Sequence, residues 1–147
     1  MFLNLEFTPQ LGFSDLKLGM TETEIKSLLG NPNTVSQKRR GRYTAAYNYY
    51  SITFSPEKIA VNIEVFFGTN VSYKGKDIFD NQDTRKQLIL DDGEAKVISG
   101  TIVLLNLGLS IWEDENEDNS NKTIVAFMAG EWDRLKNKMK TYSIDQS

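Results

Sequence analysis

Two of the side chains that most often do chemistry are missing here: among 147 residues there is neither a histidine nor a cysteine. With them go the commonest general base and metal ligand, every thiolate zinc site, any cysteine nucleophile and any disulfide framework. Serine, lysine and carboxylate chemistry remains available in principle, but no GxSxG, Walker-type or GxGxxG pattern occurs to organise it. No metal or cofactor is therefore expected, and the sequence reads as that of a non-enzyme.

What the chain does carry is charge and aromatic surface. The run Glu113-Asp114-Glu115-Asn116-Glu117-Asp118 puts five carboxylates into six residues, between Ile111-Trp112 and Lys122-Thr123, where a hairpin tip is expected. Such a tip either steers a basic partner or merely keeps the hairpin in solution. Asp114, Asn116 and Asp118 have the spacing of a calcium loop, but Asn119 stands where the sixth-position glycine belongs and Val125 where the twelfth-position glutamate belongs, which excludes an EF-hand. Lys38-Arg39-Arg40-Gly41-Arg42 beside Tyr43, Tyr47, Tyr49 and Tyr50 has the charge and stacking surface to grip single-stranded nucleic acid. A sequence pI near 5.0 argues against that and for a solvated connection, although tyrosine and arginine also dominate protein–protein contacts. Trp112 falls on the opposite parity to Leu109 and Ile111 and is expected to face outward. The candidate partner-binding residues are thus Glu113, Asp114, Glu115, Glu117, Asp118, Trp112, Tyr47 and Tyr49. A second candidate, of a different class, is a small enzyme or ligand-binding module using Asp91, Asp92 and Glu94.

The elements that would position these residues are organised around a helix. Thr21 and Glu24 form a capping box, Ile25, Leu28 and Leu29 form one apolar stripe, and Gly30-Asn31-Pro32 ends the helix with a left-handed cap. A polar connection from Asn33 to Gly41 leads to extended chain over 43–54. Ser55-Pro56-Glu57-Lys58 turns it into a return strand with Ile59, Val61, Ile63, Val65 and Phe67 on one face and Asn62 and Glu64 on the other. The same order then repeats: extended chain from Val71, a short helix over Thr84–Leu90, strands over 95–105 and 107–111, and a last strand over 123–128. The expectation is an α+β fold in one domain, 1–147. Its antiparallel sheets come from a pseudo-duplicated helix-plus-three-strand unit (11–67 and 71–128), followed by a C-terminal helix over 131–140 with Trp132, Leu135 and Met139 on one side. Charge divides unevenly. Residues 1–74 hold eight Lys/Arg against six Asp/Glu, and residues 75–147 hold nine against fourteen. No window reaches the roughly 18 apolar residues of a membrane helix, and Met1–Phe7 reads as a first strand rather than a signal peptide, so a cytoplasmic protein is expected.

Leu18-Gly19-Met20-Thr21 through Leu28-Leu29-Gly30-Asn31-Pro32 resembles the LGMT-x-x-E-(x)-LLG-x-P signature of small bacterial α+β proteins. These include outer-membrane assembly lipoproteins of the BamE type, the β-lactamase inhibitor proteins, and immunity proteins of polymorphic-toxin and contact-dependent growth-inhibition systems. The lipoproteins need a lipidated cysteine and the inhibitors are secreted and disulfide-stapled, whereas the chain resembles the immunity proteins in being small, acidic and without catalytic apparatus. That resemblance implies no catalytic residue. It implies direct binding to a cognate toxin domain; the acidic run would suit a toxin with a basic surface, a nuclease, and the pI and the lack of a membrane-length apolar window make neither nucleic acid nor a membrane the expected partner.

Overall fold

In the computed structural model, residues 4–112 and 122–143 are described, and alternation and helical spacing sort them into two sheets with two α-helices. Strand β1 (Asn4–Thr8) turns back through β2 (Gly12–Phe13) and β3 (Leu16–Lys17). It also lies parallel to β8 (Asn70–Tyr73), which pairs in turn with β9 (Lys76–Asp77). The larger sheet is antiparallel. One run of it is β4 (Thr34–Gln37), β5 (Tyr43–Ala46), β6 (Tyr50–Phe54) and β7 (Ala60–Phe66); the other is β10 (Lys96–Ile98), β11 (Thr101–Leu104), β12 (Leu109–Trp112) and β13 (Thr123–Phe127). The runs meet where β7 pairs with β13, Val65 opposite Ile124, and β14 (Lys140–Thr141) adds an edge beside β10.

Helix α1 (Glu22–Leu29) starts at the capping box read from sequence, with Glu24 N–H donating to Thr21 Oγ1 at 3.2 Å and Thr21 N–H donating to Glu24 Oε1 at 3.1 Å. Its stop is sharper than a left-handed cap: Gly30 sits at φ 82°, ψ −166°, a region essentially closed to residues with a Cβ. Helix α2 (Gln82–Asp92) is capped by Asn81, which accepts from Asp83 N–H, and closes on left-handed Gly93. Ile25 of α1 and Leu88 of α2 join Ile52, Ile63, Val65, Leu109, Ile111 and Ile124 of the large sheet, and Leu5, Phe7 and Val71 of the small one, in one buried cluster. Both helices and the small sheet therefore cover one face of the large sheet. This architecture is sheet-rich α+β with antiparallel pairing dominant, as expected.

Several finer expectations are corrected. The large sheet takes a consecutive set of four strands after each helix, β4 to β7 and β10 to β13, where three were expected. The connection over 33–41 contains edge strand β4, whose four exposed residues show no alternation. The extended chain over 43–54 is two strands folded about Tyr47-Asn48-Tyr49. The strand over 95–105 is a hairpin, closed by Ser99 (φ 47°) and Gly100 (φ 80°) in the two-residue left-handed turn that matches strand twist. Between β6 and β7 the register shifts at Thr53/Phe54, so Phe54 pairs with Ala60 and Thr53 with Asn62; Val61 of β7 is the extra residue, and Ala60 rather than Ile59 faces the core. The C-terminal helix over 131–140 is a 3-10 segment, Asp133–Lys138, ended by extended Met139.

Candidate functional site

The opposite face of the large sheet is polar where its strands meet. Because side chains alternate, the residues between the core positions of β6 and β7 point away from the helices: Ser51, Thr53, Asn62 and Glu64. Register carries this row across the junction, with Ser51 opposite Glu64, Glu64 opposite Val125, and Val125 opposite Ser110. The C-terminal segment crosses the same face. Trp132 packs edge-on against Phe127, with ring centroids 6.1 Å apart. Between that segment and the sheet lies an open hollow of about 400 Å³, walled by Trp132 and Leu135 and floored by the polar row.

One carboxylate pins the hollow together. Glu131 Oε1 accepts from Arg42 Nη2 at 2.5 Å and from Asn62 Nδ2 at 2.8 Å, joining the loop before β5, the centre of β7 and the C-terminal segment. Thr44 and Thr53 hydroxyls share a 3.0 Å hydrogen bond beside it. Burial pushes the Glu64 carboxyl above its ordinary value, with opposing pulls from a Thr123 hydrogen bond and the Lys38 ammonium. A second open hollow, of about 560 Å³, adjoins the first, shares Arg42, Thr53 and Glu131 with it, and is rimmed by Lys38, Arg39, Arg40 and Arg134. The arrangement supplies fixed hydrogen-bonding groups flanked by positive charge. Among the described residues, no group of three Asp or Glu side chains is placed to hold a metal ion.

The residues singled out from sequence are not gathered at this hollow. Trp112 is 37% exposed and shares the polar face, at its far end. In register it faces Thr123, Thr123 faces Phe66, and Phe66 N–H donates to Tyr49 C=O, so Trp112 and Tyr49 lie on one row about 14 Å apart at ordinary strand spacing. Tyr47 is held against α1, donating its hydroxyl to Gly30 C=O at 2.9 Å. Tyr47 and Tyr49 line a separate hollow of about 230 Å³ with Leu28, Leu29 and Asn33. Glu113, Asp114, Glu115, Glu117 and Asp118 lie outside the described residues. The basic and aromatic cluster separates: Tyr43 stacks on Phe54 on the core side and donates to Glu22, and burial together with that carboxylate pushes its hydroxyl up to about 12, while Arg42 reaches the other face. Asp91 accepts from Tyr73, Lys74 and Gln87, and buried Asp92 accepts from the N–H groups of Glu94 and Leu107. These two carboxylates tie α2 to its surroundings, Asp92 buried and Asp91 exposed, and Glu94 is exposed.

Sequence reasoning marked Asn62 and Glu64 as outward-facing, but missed Ser51, Thr53, Ser110 and Glu131. The alternation in β6 was the available signal. No family model matches the chain, and neither a curated protein nor a solved structure does. No helix among the described residues is long and apolar enough to cross a membrane.

Proposed function

We propose that the chain is a non-enzymatic binding protein that docks a protein partner on the polar face of its large sheet. The observation that carries this reading is the row Ser110, Val125, Glu64, Ser51, which lines an open hollow instead of being roofed by helices. An antiparallel sheet often leaves one face to solvent, but here the face is walled by Trp132 and Leu135 and cross-linked by Glu131, which fixes its hydrogen-bonding groups in advance. A pre-set polar surface with an aromatic wall suits a macromolecular contact.

Taken with the resemblance in 18–32, this supports a cytoplasmic immunity protein that occludes a cognate bacterial toxin domain, a nuclease. The consecutive strand runs β4 to β7 and β10 to β13 are consistent with a duplicated unit, here helix plus four strands. The acidic run 113–118 would meet the basic part of such a toxin. Co-expression with neighbouring open reading frames tests the reading: a toxic neighbour should be neutralised, and Ser51→Arg should abolish protection without lowering the thermal midpoint by more than a degree or two. If no neighbouring product is toxic and rescued, the reading is wrong.

A further inference from the structure

We propose that the basic hollow beside the polar face seats an acidic loop of the protein partner. The proposal rests on the docking reading above and adds the partner's chemistry. Two chain segments build the hollow. One is the hairpin loop between β4 and β5, closed by Lys38 N–H donating to Arg42 C=O at 2.8 Å. The other is the C-terminal 3-10 segment, anchored by Trp132 on Phe127. The first contributes Lys38, Arg39 and Arg40 to the lining and the second Arg134.

Among the described residues none of these cations has an ion pair at contact distance, and Lys38 is tied to a carboxylate at longer range, Glu64. Ion pairs among the described residues engage Lys26, Arg42, Lys74 and Lys136, and leave Lys38, Arg39, Arg40 and Arg134 without a carboxylate partner at contact distance. The carboxylate lining the hollow, Glu131, already accepts from Arg42 and Asn62. Four cations without a contact ion pair, around an open space of about 560 Å³, raise a positive potential that draws in negative groups. Guanidinium forks take carboxylates two bonds at a time. Their spread over two chain segments fits several carboxylates spaced along a chain better than one compact ion. Arg42, Thr53 and Glu131 border both hollows, so a partner covering the polar face reaches the basic one without a gap.

The test needs no knowledge of the partner. A hexaglutamate peptide is titrated into the full-length protein at low salt and followed by amide chemical shifts. The expected result is shifts concentrated in residues 38–42 and 130–134, binding weakened about tenfold or more in the Arg39→Glu/Arg134→Glu variant, and loss of the shifts at about 0.5 M salt as screening shortens the reach of the charges. Arg39→Gln/Arg134→Gln serves as a milder variant should the reversal unfold the chain. Absence of shifts, shifts spread equally over Lys136, Lys138 and Lys140, or tighter binding of inorganic pyrophosphate than of the peptide would each overturn the proposal. Peptide binding here without toxin rescue removes the docking reading and leaves the acidic-ligand site; rescue without peptide binding does the reverse.

Discussion

Ile63 and Glu64 are chain neighbours on β7 that face opposite sides of one sheet. Ile63 is completely buried among Ile52, Ile25 and other apolar residues under the helices, whereas Glu64 lines an open hollow. On one side apolar surface removed from water holds the molecule together. On the other, hydrogen-bonding groups are held in place by Glu131 and by backbone pairing, with Trp132 packed on Phe127 at one end. The helix-covered face therefore sets stability, and the open face is left free of that demand.

The widest separation between the faces should come from adjacent truncations. Ile63→Ala leaves a cavity in a sealed core and should cost about 2–5 kcal/mol. Asn62→Ala removes one hydrogen bond to Glu131, which keeps Arg42, and should cost only about 0.5–1.5 kcal/mol. Urea unfolding of both variants checks this. Equal losses would mean that the open face carries as much of the stability as the core.

Gly30→Val should come next, at about 1–3 kcal/mol, because φ 82° with ψ −166° is a conformation essentially reserved for glycine. Nothing lies within 4 Å of a Cβ built there, so the cost is backbone strain and not a clash. Gly30→Ala should therefore cost nearly as much. A valine variant far worse than the alanine one would place the stop of α1 against a neighbour instead.

The helix-covered face was the legible one. The Thr21/Glu24 capping box, the Ile25 stripe and the Ser55–Lys58 turn depend on residues a few positions apart, and each is where local chemistry puts it. Strand β4 was hidden because an edge strand exposed at all four residues has no alternation to detect. The turn at Tyr47-Asn48-Tyr49 was hidden because aromatic residues favour extended chain on either reading. The bulge at Val61 was hidden because the partner strand, not the sequence, decides which residue is extra. The open face is harder still. Ser51, Glu64, Ser110 and Glu131 become neighbours only through pairing of β7 with β13 and the return of the C-terminal segment, contacts across long sequence separations that no local pattern announces.

Charge in the acidic run should matter less to folding than to association. If the run is the exposed hairpin tip that its sequence suggests, neutralising Glu113, Asp114, Glu115, Glu117 and Asp118 with Gln, Asn or Ser should leave the thermal midpoint nearly unchanged, since exposed charges contribute roughly 0–1 kcal/mol each. Association with a basic toxin should slow about tenfold at low salt, with wild type and variant converging as salt rises. Stopped-flow binding separates the possibilities. A variant that differs only in its dissociation rate would put these carboxylates inside the contact rather than on the approach to it.

The smallest effect concerns Glu64 and depends on pH. Burial raises its folded-state value above the ordinary 4.5, so between the two values the folded chain holds more proton than the unfolded one. Stability must then fall as pH rises through that window: the charged form is disfavoured in the hollow, a penalty absent below the unfolded value and fully present above the folded one. Glu64→Gln cannot ionise and escapes the penalty. The variant should therefore gain on wild type as pH rises from about 4 to 7, which urea midpoints taken across that range would show. The Lys38 ammonium acts against the shift, so introducing Lys38→Met into both chains should widen the gap between wild-type Glu64 and the Glu64→Gln variant. A docked partner would deepen the burial of Glu64 and should draw a proton onto it, making binding tighter toward the acid side in wild type but not in the variant. Midpoints that ran parallel at every pH would show instead that water reaches the Glu64 carboxylate freely, and that the hollow is wetter than its lining suggests.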